Sequence, residues 1–379
     1  MGFVAVVLTV LVLMHGYVYL RAVHGVFPTR RGRLAGGAVV ALLAVATVAA
    51  FVTRRTPDVS AVVPYVGYVW LGVLLYVVLL LAVGELVRLG LFLGGRRGLD
   101  PSRRRLLSAV VAGTAVAGAV AAIGYGILAA RRVRVERREI VLDRLDPAFD
   151  GFTIAAVSDI HLGPFVDGGD LARIVATINR EAPDAVAVVG DLVDGGVADL
   201  GPAAAPLRDL AAPAYFVTGN HEYFSDAADW VAYLPTLGVR VLRNSRETLR
   251  RGDAVLHIAG CDDRTAATSG VVGHGFDLDA ALHGRAPDEP VVLLCHQPVM
   301  VDRAARAGVD LQISGHTHGG QLWPITHVAL IDQPVLSGLV RVGPTWLYVT
   351  RGTGFWGPPA RVGSPPEITV LVLRAGSSS

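Results

Sequence analysis

An α/β domain behind an all-helical, membrane-crossing N-terminal region is the architecture the sequence predicts, and three observations predict it. Four apolar runs precede residue 131, each about long enough to cross a hydrocarbon layer of roughly 30 Å at about 1.5 Å per residue. From Val133 charged residues and prolines return, apolar runs shrink to strand length, and segments such as Leu171 to Arg180 carry helical spacing between them. Strands alternating with helices layer as α/β. Finally, five strand-like runs each stop in a short segment of metal-ligand residue types. The expected division is a transmembrane region over 1–132 and a soluble domain over 133–379.

Composition agrees with that division. Of 379 residues 52% are hydrophobic and only 17% charged, with a mean hydropathy of +0.50, which is too apolar for a wholly soluble chain. The formal net charge of +2 is near balance. Its arginines gather beside the apolar runs, so they carry topology information and not nucleic-acid affinity. No segment joins a basic patch to stacking aromatics, so a nucleic-acid substrate is not expected. Cys261 and Cys295 form no C-x-x-C, which leaves buried thiols or a disulfide and removes zinc-finger and thioredoxin readings.

Gly2 to Leu20 and Gly36 to Val52 are the first two expected membrane helices. Val63 to Gly84 is the third and ends near Glu85 and Arg88, one turn apart. These two either pair where the helix ends at the interface or mark an intramembrane functional site. Leu106 to Ala130, announced by the Asp100-Pro101 turn, is the fourth. Its lead-in, Ser102-Arg103-Arg104-Arg105-Leu106-Leu107, is similar to a twin-arginine export signal placed internally, or is an ordinary cytoplasmic arginine cluster. Cleavage after Ala129 or Ala130 would release the domain that follows.

Arg21, Arg30, Arg31 and Arg33 flank the first loop and Arg96, Arg97, Arg103, Arg104 and Arg105 lie in the third, against only Arg54 and Arg55 in the second. The first and third loops are therefore expected in the cytoplasm and the soluble domain outside it. Arg131, Arg132, Arg134, Arg137 and Arg138, just past the fourth helix, count against that orientation.

In the soluble domain the strand-then-ligand pattern repeats. Phe152 to Val157 leads into Ser158-Asp159-Ile160-His161, and Ala185 to Val189 into Gly190-Asp191-Leu192-Val193-Asp194. Ala214 to Val217 leads into Gly219-Asn220-His221-Glu222, and Val291 to Leu294 into Cys295-His296-Gln297-Pro298. The alternating run Val309 to Ile313 ends in Ser314-Gly-His-Thr-His-Gly-Gly-Gln321. Because successive strand residues alternate faces, His316 and His318 are expected on one face, with glycines turning the chain around them. Ligands collect outside the carboxyl ends of strands in open α/β sheets, so five such ends can serve one site. Gly195 to Pro206 and Arg264 to Gly275 read as surface loops.

The ordered set D-x-H, G-D-x-x-D, G-N-H-E, a lone strand-end histidine and G-H-x-H resembles the calcineurin-like metallophosphoesterases over roughly residues 152–373. Arg351-Gly-Thr-Gly-Phe-Trp-Gly-Pro-Pro-Ala-Arg361, followed by Pro366-Glu367, resembles the membrane-associated bacterial branch of that family. The resemblance implies a four-layer α-β-β-α sandwich of two mixed sheets. It implies a dinuclear centre in which Asp159, His161, Asp191 and His318 hold one ion and Asp191, Asn220, His296 and His316 the other. Asp191 would bridge, each carboxylate oxygen facing a separate cation. The nitrogen and oxygen ligands suit Mn, Fe or Zn. His221 would act as the acid toward the leaving oxygen. Asp194 either orients His221 or caps the next turn. Arg351 and Arg361 either meet substrate phosphate or hold structure, and His257 reads as a core histidine.

The activity so implied is hydrolysis of a phosphomonoester or phosphodiester by metal-activated water at a membrane. Its substrate could be lipid or cell-envelope linked. The alternatives are a hydrolase of a lipid or cell-wall-precursor pyrophosphate, and a non-catalytic membrane sensor or scaffold that keeps the fold.

Overall fold

The computed structural model describes residues 2–54, 60–93 and 100–376, and the loop arginines Arg55, Arg96 and Arg97 lie outside them. The chain forms two compact units, one of residues 1–128 with 357–360 and one of residues 129–356 with 361–379.

Among the described residues the first unit holds four helices that are long and apolar enough to cross a membrane. They are α1 (Gly2–Val18, continued as π-helix over Tyr19–His24), α2 (Arg30–Thr53), α3 (Val62–Leu93) and α4 (Pro101–Ala130). Helix α2 begins where the Thr29 hydroxyl accepts the Gly32 amide, capping a donor that the first helical turn leaves unpaired. Helix α3 does not end at Gly84 as its apolar run suggests. Its turns continue to Leu93, so Glu85 and Arg88 sit inside the helix. Glu85 is paired with Arg88 at 3.0 Å and Arg21 at 3.2 Å, and Arg88 donates to the Ser108 hydroxyl at 2.9 Å. An unpaired charge in this apolar bundle would be costly, so the two arginines and the serine account for Glu85 as a tie between α1, α3 and α4.

The second unit is the sandwich expected from the resemblance. One sheet runs β1 (Arg134–Leu142), β12 (Glu367–Ala375), β2 (Thr153–Val157), β3 (Ala185–Val189), β4 (Ala214–Val217), β5 (Val239–Val241). The other runs β10 (Gly338–Val342), β11 (Thr345–Val349), β9 (Leu311–Ser314), β8 (Val291–Leu294), β7 (Ala254–Gly260), β6 (Ser245–Arg251). Both are mixed: β2 to β5 are parallel while β12 is antiparallel to β2, and β7, β8, β9 and β11 are parallel between antiparallel edges.

Alternation along the strands decides the layers. Ile154, Ala156, Ala187, Val189, Tyr215 and Val217 of the first sheet meet Ile258, Val292, Leu294, Leu311 and Ile313 of the second. The odd members Ala155 and Val157, with Val186, Val188 and Phe216, face outward under Leu171, Ile174, Val175 and Ile178 of α5 (Gly168–Glu181). On the far side Ala259, Cys261, Leu293 and Cys295 pack under Leu278, Ala281 and Ala304. Both faces of the central strands are thus covered, which explains why they read as continuous apolar runs.

Residues 195–206 are not a loop throughout. Val197–Ala204 forms α6 despite Pro202, since Val197, Leu200 and Ala204 turn one apolar face onto the outer core. Cys261 and Cys295 are free thiols, both buried.

Candidate metal centre

Every sequence-predicted ligand sits just beyond the carboxyl end of a parallel strand. Asp159 and His161 follow β2, Asp191 follows β3, Asn220 and His221 open α7 (Asn220–Phe224) after β4, His296 follows β8, and His316 and His318 follow β9. The two sheets pack with these ends together, and the side chains meet.

Among the described residues these ligands fall into two clusters, and a third group joins His161 to Asp194 and His221. Ligand atoms of Asp159, His161 and His318 lie within 4.8 Å of one another, and so do those of Asp191, His296 and His316. In the first, the Nε2 atoms of His161 and His318 are 3.1 Å apart, and His318 Nε2 is 3.4 Å from Asp159 Oδ1. In the second, His296 Nε2 is 3.2 Å from Asp191 Oδ2. Asp191 joins them, for its Oδ2 also faces His161 Nε2 at 4.0 Å. Its Oδ1 accepts the His221 amide at 2.8 Å, and its Oδ2 faces both clusters.

Asn220 Oδ1, His296 Nε2 and His316 Nδ1 are buried without a hydrogen-bond partner. Buried polar atoms seldom stay unpaired, since each forfeits about 1–3 kcal/mol. Three such atoms, an amide oxygen and two ring nitrogens, beside a buried carboxylate form a donor set that suits a borderline divalent cation. His296 Nδ1 lies 2.8 Å from the Val189 carbonyl, to which it donates, so Nε2 is the nitrogen turned to Asp191. The residues fit a metal.

Charge around the site points the same way. Burial opposes ionisation of Asp191, but His296 and His221 overcome it and hold the carboxyl well below its usual range. Burial, then His296, pushes His316 down to about 3, and burial with Arg361 holds His318 low, so both imidazoles stay neutral. Burial raises Asp159, whose carboxylate receives the His316 amide at 3.0 Å and the Ser158 hydroxyl.

The turns that aim these side chains are strained. Asp159 (φ 54°), His161 (54°), Asp191 (51°), His316 (70°) and His318 (52°) are all left-handed, a conformation L-residues seldom adopt. It therefore overrides the strand alternation that would put His316 and His318 on one face: β9 stops at Ser314, and the histidines go to different clusters. Backbone bonds between the turns hold the strain, including Asp159 N to Gly190 O, His161 N to Asp191 O and Gly315 N to His296 O. Glu222, to which the sequence reading gave no role, fastens the centre. Its buried carboxylate accepts the amides of Gly219, Leu192 and Asp191 at 2.6, 2.8 and 3.0 Å. The capping-box position three residues after Gly219 was the available signal.

Beside the clusters, His221 Nδ1 is 2.5 Å from Asp194 Oδ1, which also receives His161 Nδ1 at 3.1 Å. Asp194 thus serves two histidines, not the turn that follows. Arg361 is fully buried and donates to the carbonyls of His318, Arg351 and Gly354. Arg351 meets Glu136 and Glu367. Both arginines hold structure. His257, bonded to Thr248 and Glu289, is a satisfied core histidine.

Comparison with known proteins gives a consistent answer. Residues 152–320 match the profile of the calcineurin-like phosphoesterases. A "transmembrane protein with metallophosphoesterase domain" of Danio rerio is 37% identical over 330 residues, 80% of this chain and 74% of that protein. The Bos taurus protein of the same name is 39% identical over 289 residues, 73% of this chain, and the chain spans 65% of its length. An uncharacterized metallophosphoesterase of Bacillus subtilis, YkuE, is 31% identical over 72% of this chain and 98% of its own length.

Proposed function

The chain belongs to the calcineurin-like phosphoesterases, metal-dependent hydrolases of phosphoesters, and on that premise we propose that it is a membrane-anchored hydrolase with a dinuclear centre. One observation carries the proposal: His296 and His316 cluster with Asp191, which also faces His161 of the Asp159, His161 and His318 cluster, and Asn220 Oδ1, two positions before Glu222, is buried with no partner of its own.

Asp159, His161, Asp191 and His318 would hold one divalent ion, and Asp191, Asn220, His296 and His316 the other. Mn, Fe or Zn there supplies a nucleophilic oxygen from water at neutral pH and compensates charge on the phosphoryl oxygens. The remaining steps belong to side chains. As the ester P–O bond breaks and the water oxygen bonds to phosphorus, the leaving oxygen takes a proton from His221 Nε2. Asp194, bonded to Nδ1, fixes the ring so that Nε2 is the nitrogen turned to the leaving oxygen. Glu222 keeps Asp191 aimed. Protein purified with Mn should hydrolyse a generic aryl phosphomonoester or phosphodiester and carry two ions per chain. Asp191→Ala should lose both, and equal turnover in that variant would remove the assignment.

The hydrolase unit lies outside the cytoplasm in this reading, supported by the arginines of the first and third loops. Arg137, paired with Glu181, and Arg138, paired with Glu136, belong to strand β1, which lessens their weight as topology signals. Export through the Arg103-Arg104 pair would make a reporter fused at residue 379 active outside the cytoplasm, and Arg103→Lys with Arg104→Lys would trap it inside. Cytoplasmic activity of the unmutated fusion would overturn the orientation and leave the chemistry untouched.

A further inference from the structure

We infer that the phosphoester taken by this site carries a hydrocarbon chain, held on an apolar rim that the fold builds between the metal-ligand turns. The inference rests on the hydrolase reading and names the substrate class for it.

The rim is the segment Leu-Trp-Pro-Ile-Thr-His-Val-Ala-Leu-Ile, residues 322–331, which contains no formally charged residue. Leu322 anchors it in the core, and four of its large apolar side chains are turned outward: Trp323 is 59% exposed, Val328 60%, Leu330 45% and Ile331 85%. Single exposed apolar residues are ordinary, but four within nine positions form a patch of the kind that meets a ligand. Two further exposed rings stand at His221. Phe224 and Trp356, both exposed, place their rings 5.5 and 5.6 Å from that of His221.

Both ends of the segment are fastened to ligand-bearing turns. At its start, Gly320 (φ 77°) lies so close that a Cβ there would stand 2.3 Å from Thr326 Cα. Gln321 binds the backbone of Trp356 in both directions, donating to its carbonyl at 2.8 Å and accepting its amide at 3.0 Å. At the far end buried Gln333 accepts the Val299 amide at 3.0 Å and reaches Gln297, the neighbour of His296, at 3.3 Å. The apolar surface therefore runs from the His318 turn to the His296 turn, beside the place where phosphorus must sit.

Hydrocarbon suits that surface better than a peptide does. Thr326, Asp332 and Gln333 give their amides to carbonyls of the same segment, so it offers no strand edge to pair with. It presents no charge for a polar headgroup, and the phosphate already has its own site. The chain also carries four membrane-length helices, which keeps it where phosphoesters with alkyl tails are found.

The test uses the full-length protein in amphipol, loaded with Mn and hydrolysing a generic aryl phosphate ester, with methyl phosphate and decyl phosphate as competing inhibitors. Each buried methylene is worth about threefold to fourfold in affinity, so decyl phosphate should inhibit at a concentration at least roughly thirtyfold lower. Leu330→Asn with Ile331→Asn, at exposed positions, should remove most of that preference, read as the ratio of the two inhibition constants within the same variant. Equal inhibition by both phosphates while the aryl ester is hydrolysed would overturn the inference and leave the hydrolase reading standing. So would a full preference retained in the double variant. Absence of aryl-ester turnover, alike in wild type and Asp191→Ala, would remove the hydrolase reading and the inference with it.

Discussion

Replacing Gly219 with alanine should strip metal from the centre. Gly219 has φ −106° and ψ −174°, extended backbone open to any residue, so the effect is confined to the added methyl group. That Cβ would stand 2.2 Å from Asp191 Oδ1 and 2.5 Å from the Asp191 amide nitrogen, where real Cβ atoms essentially never come within 3.0 Å. The carboxylate must move from 2.2 to at least 3.0 Å, a retreat of about 0.8 Å, against a tolerance of about 0.2 Å for a metal–ligand bond. Asp191 cannot shift as a whole, because Glu222 holds its amide at 3.0 Å and that of Leu192 at 2.8 Å. Displacing a ligand's support typically costs about 10–100-fold in metal affinity, or about 1.4–2.8 kcal/mol. Overpacking adds roughly 1–3 kcal/mol of lost stability. The assay is metal content by plasma mass spectrometry after dialysis of the full-length protein against buffered Mn. Gly275→Ala serves as control, since nothing lies within 4 Å of its Cβ. Wild-type Mn occupancy in Gly219→Ala at limiting free metal would refute the reasoning.

Glu222→Ala leaves three buried amides unpaired, and removing a buried carboxylate offsets part of that cost. The net loss should be about 3 kcal/mol, a fall of roughly 5–10 °C in the thermal midpoint of the hydrolase unit. A midpoint unchanged within about 1 °C would show that the clamp is dispensable. Burial pushes the thiols of Cys261 and Cys295 above their usual range. A raised pKa keeps each group protonated as pH climbs, so iodoacetamide at pH 8.5 should label both only after unfolding. Rapid labelling of the native protein would contradict this.

The sequence made the strands before Asp159, Asp191, Asn220 and His296 legible because each is buried on both faces and so reads as an apolar run, while the strand before His316 alternates only because buried Gln312 bonds to Ser314 within the fold. Ligand types at the ends of those runs were legible for a similar reason: polar residues there are useless to a core. What lay beyond reading was backbone state. Nothing in the letters around Asp159 or His318 announces a left-handed residue, since it is imposed by bonds from turns distant in sequence. The extent of α3 was missed because Glu85 and Arg88 look like an ending until Arg21 and Ser108 are seen to satisfy them. Helix α6 was missed because Pro202 and Gly201 outweigh, in local preference, a face of Val197, Leu200 and Ala204 whose partner is elsewhere in the chain. Residues 322–331 were the least legible, because nothing in an uncharged, mostly apolar stretch tells which side chains go inward, as Leu322 does, and which outward, as Trp323, Val328, Leu330 and Ile331 do.

Strand β12 has a bearing on how the protein can be made. It is inserted between β1 and β2, with Ile368, Val370, Leu371 and Leu373 buried on either side of the sheet. A ribosome must therefore deliver everything up to residue 375 before the slot beside β2 is filled. Until then β1 and β2 each present a bare edge, and a nascent chain stalled short of Glu367 would be a substrate for chaperones and proteases, never a partly working enzyme.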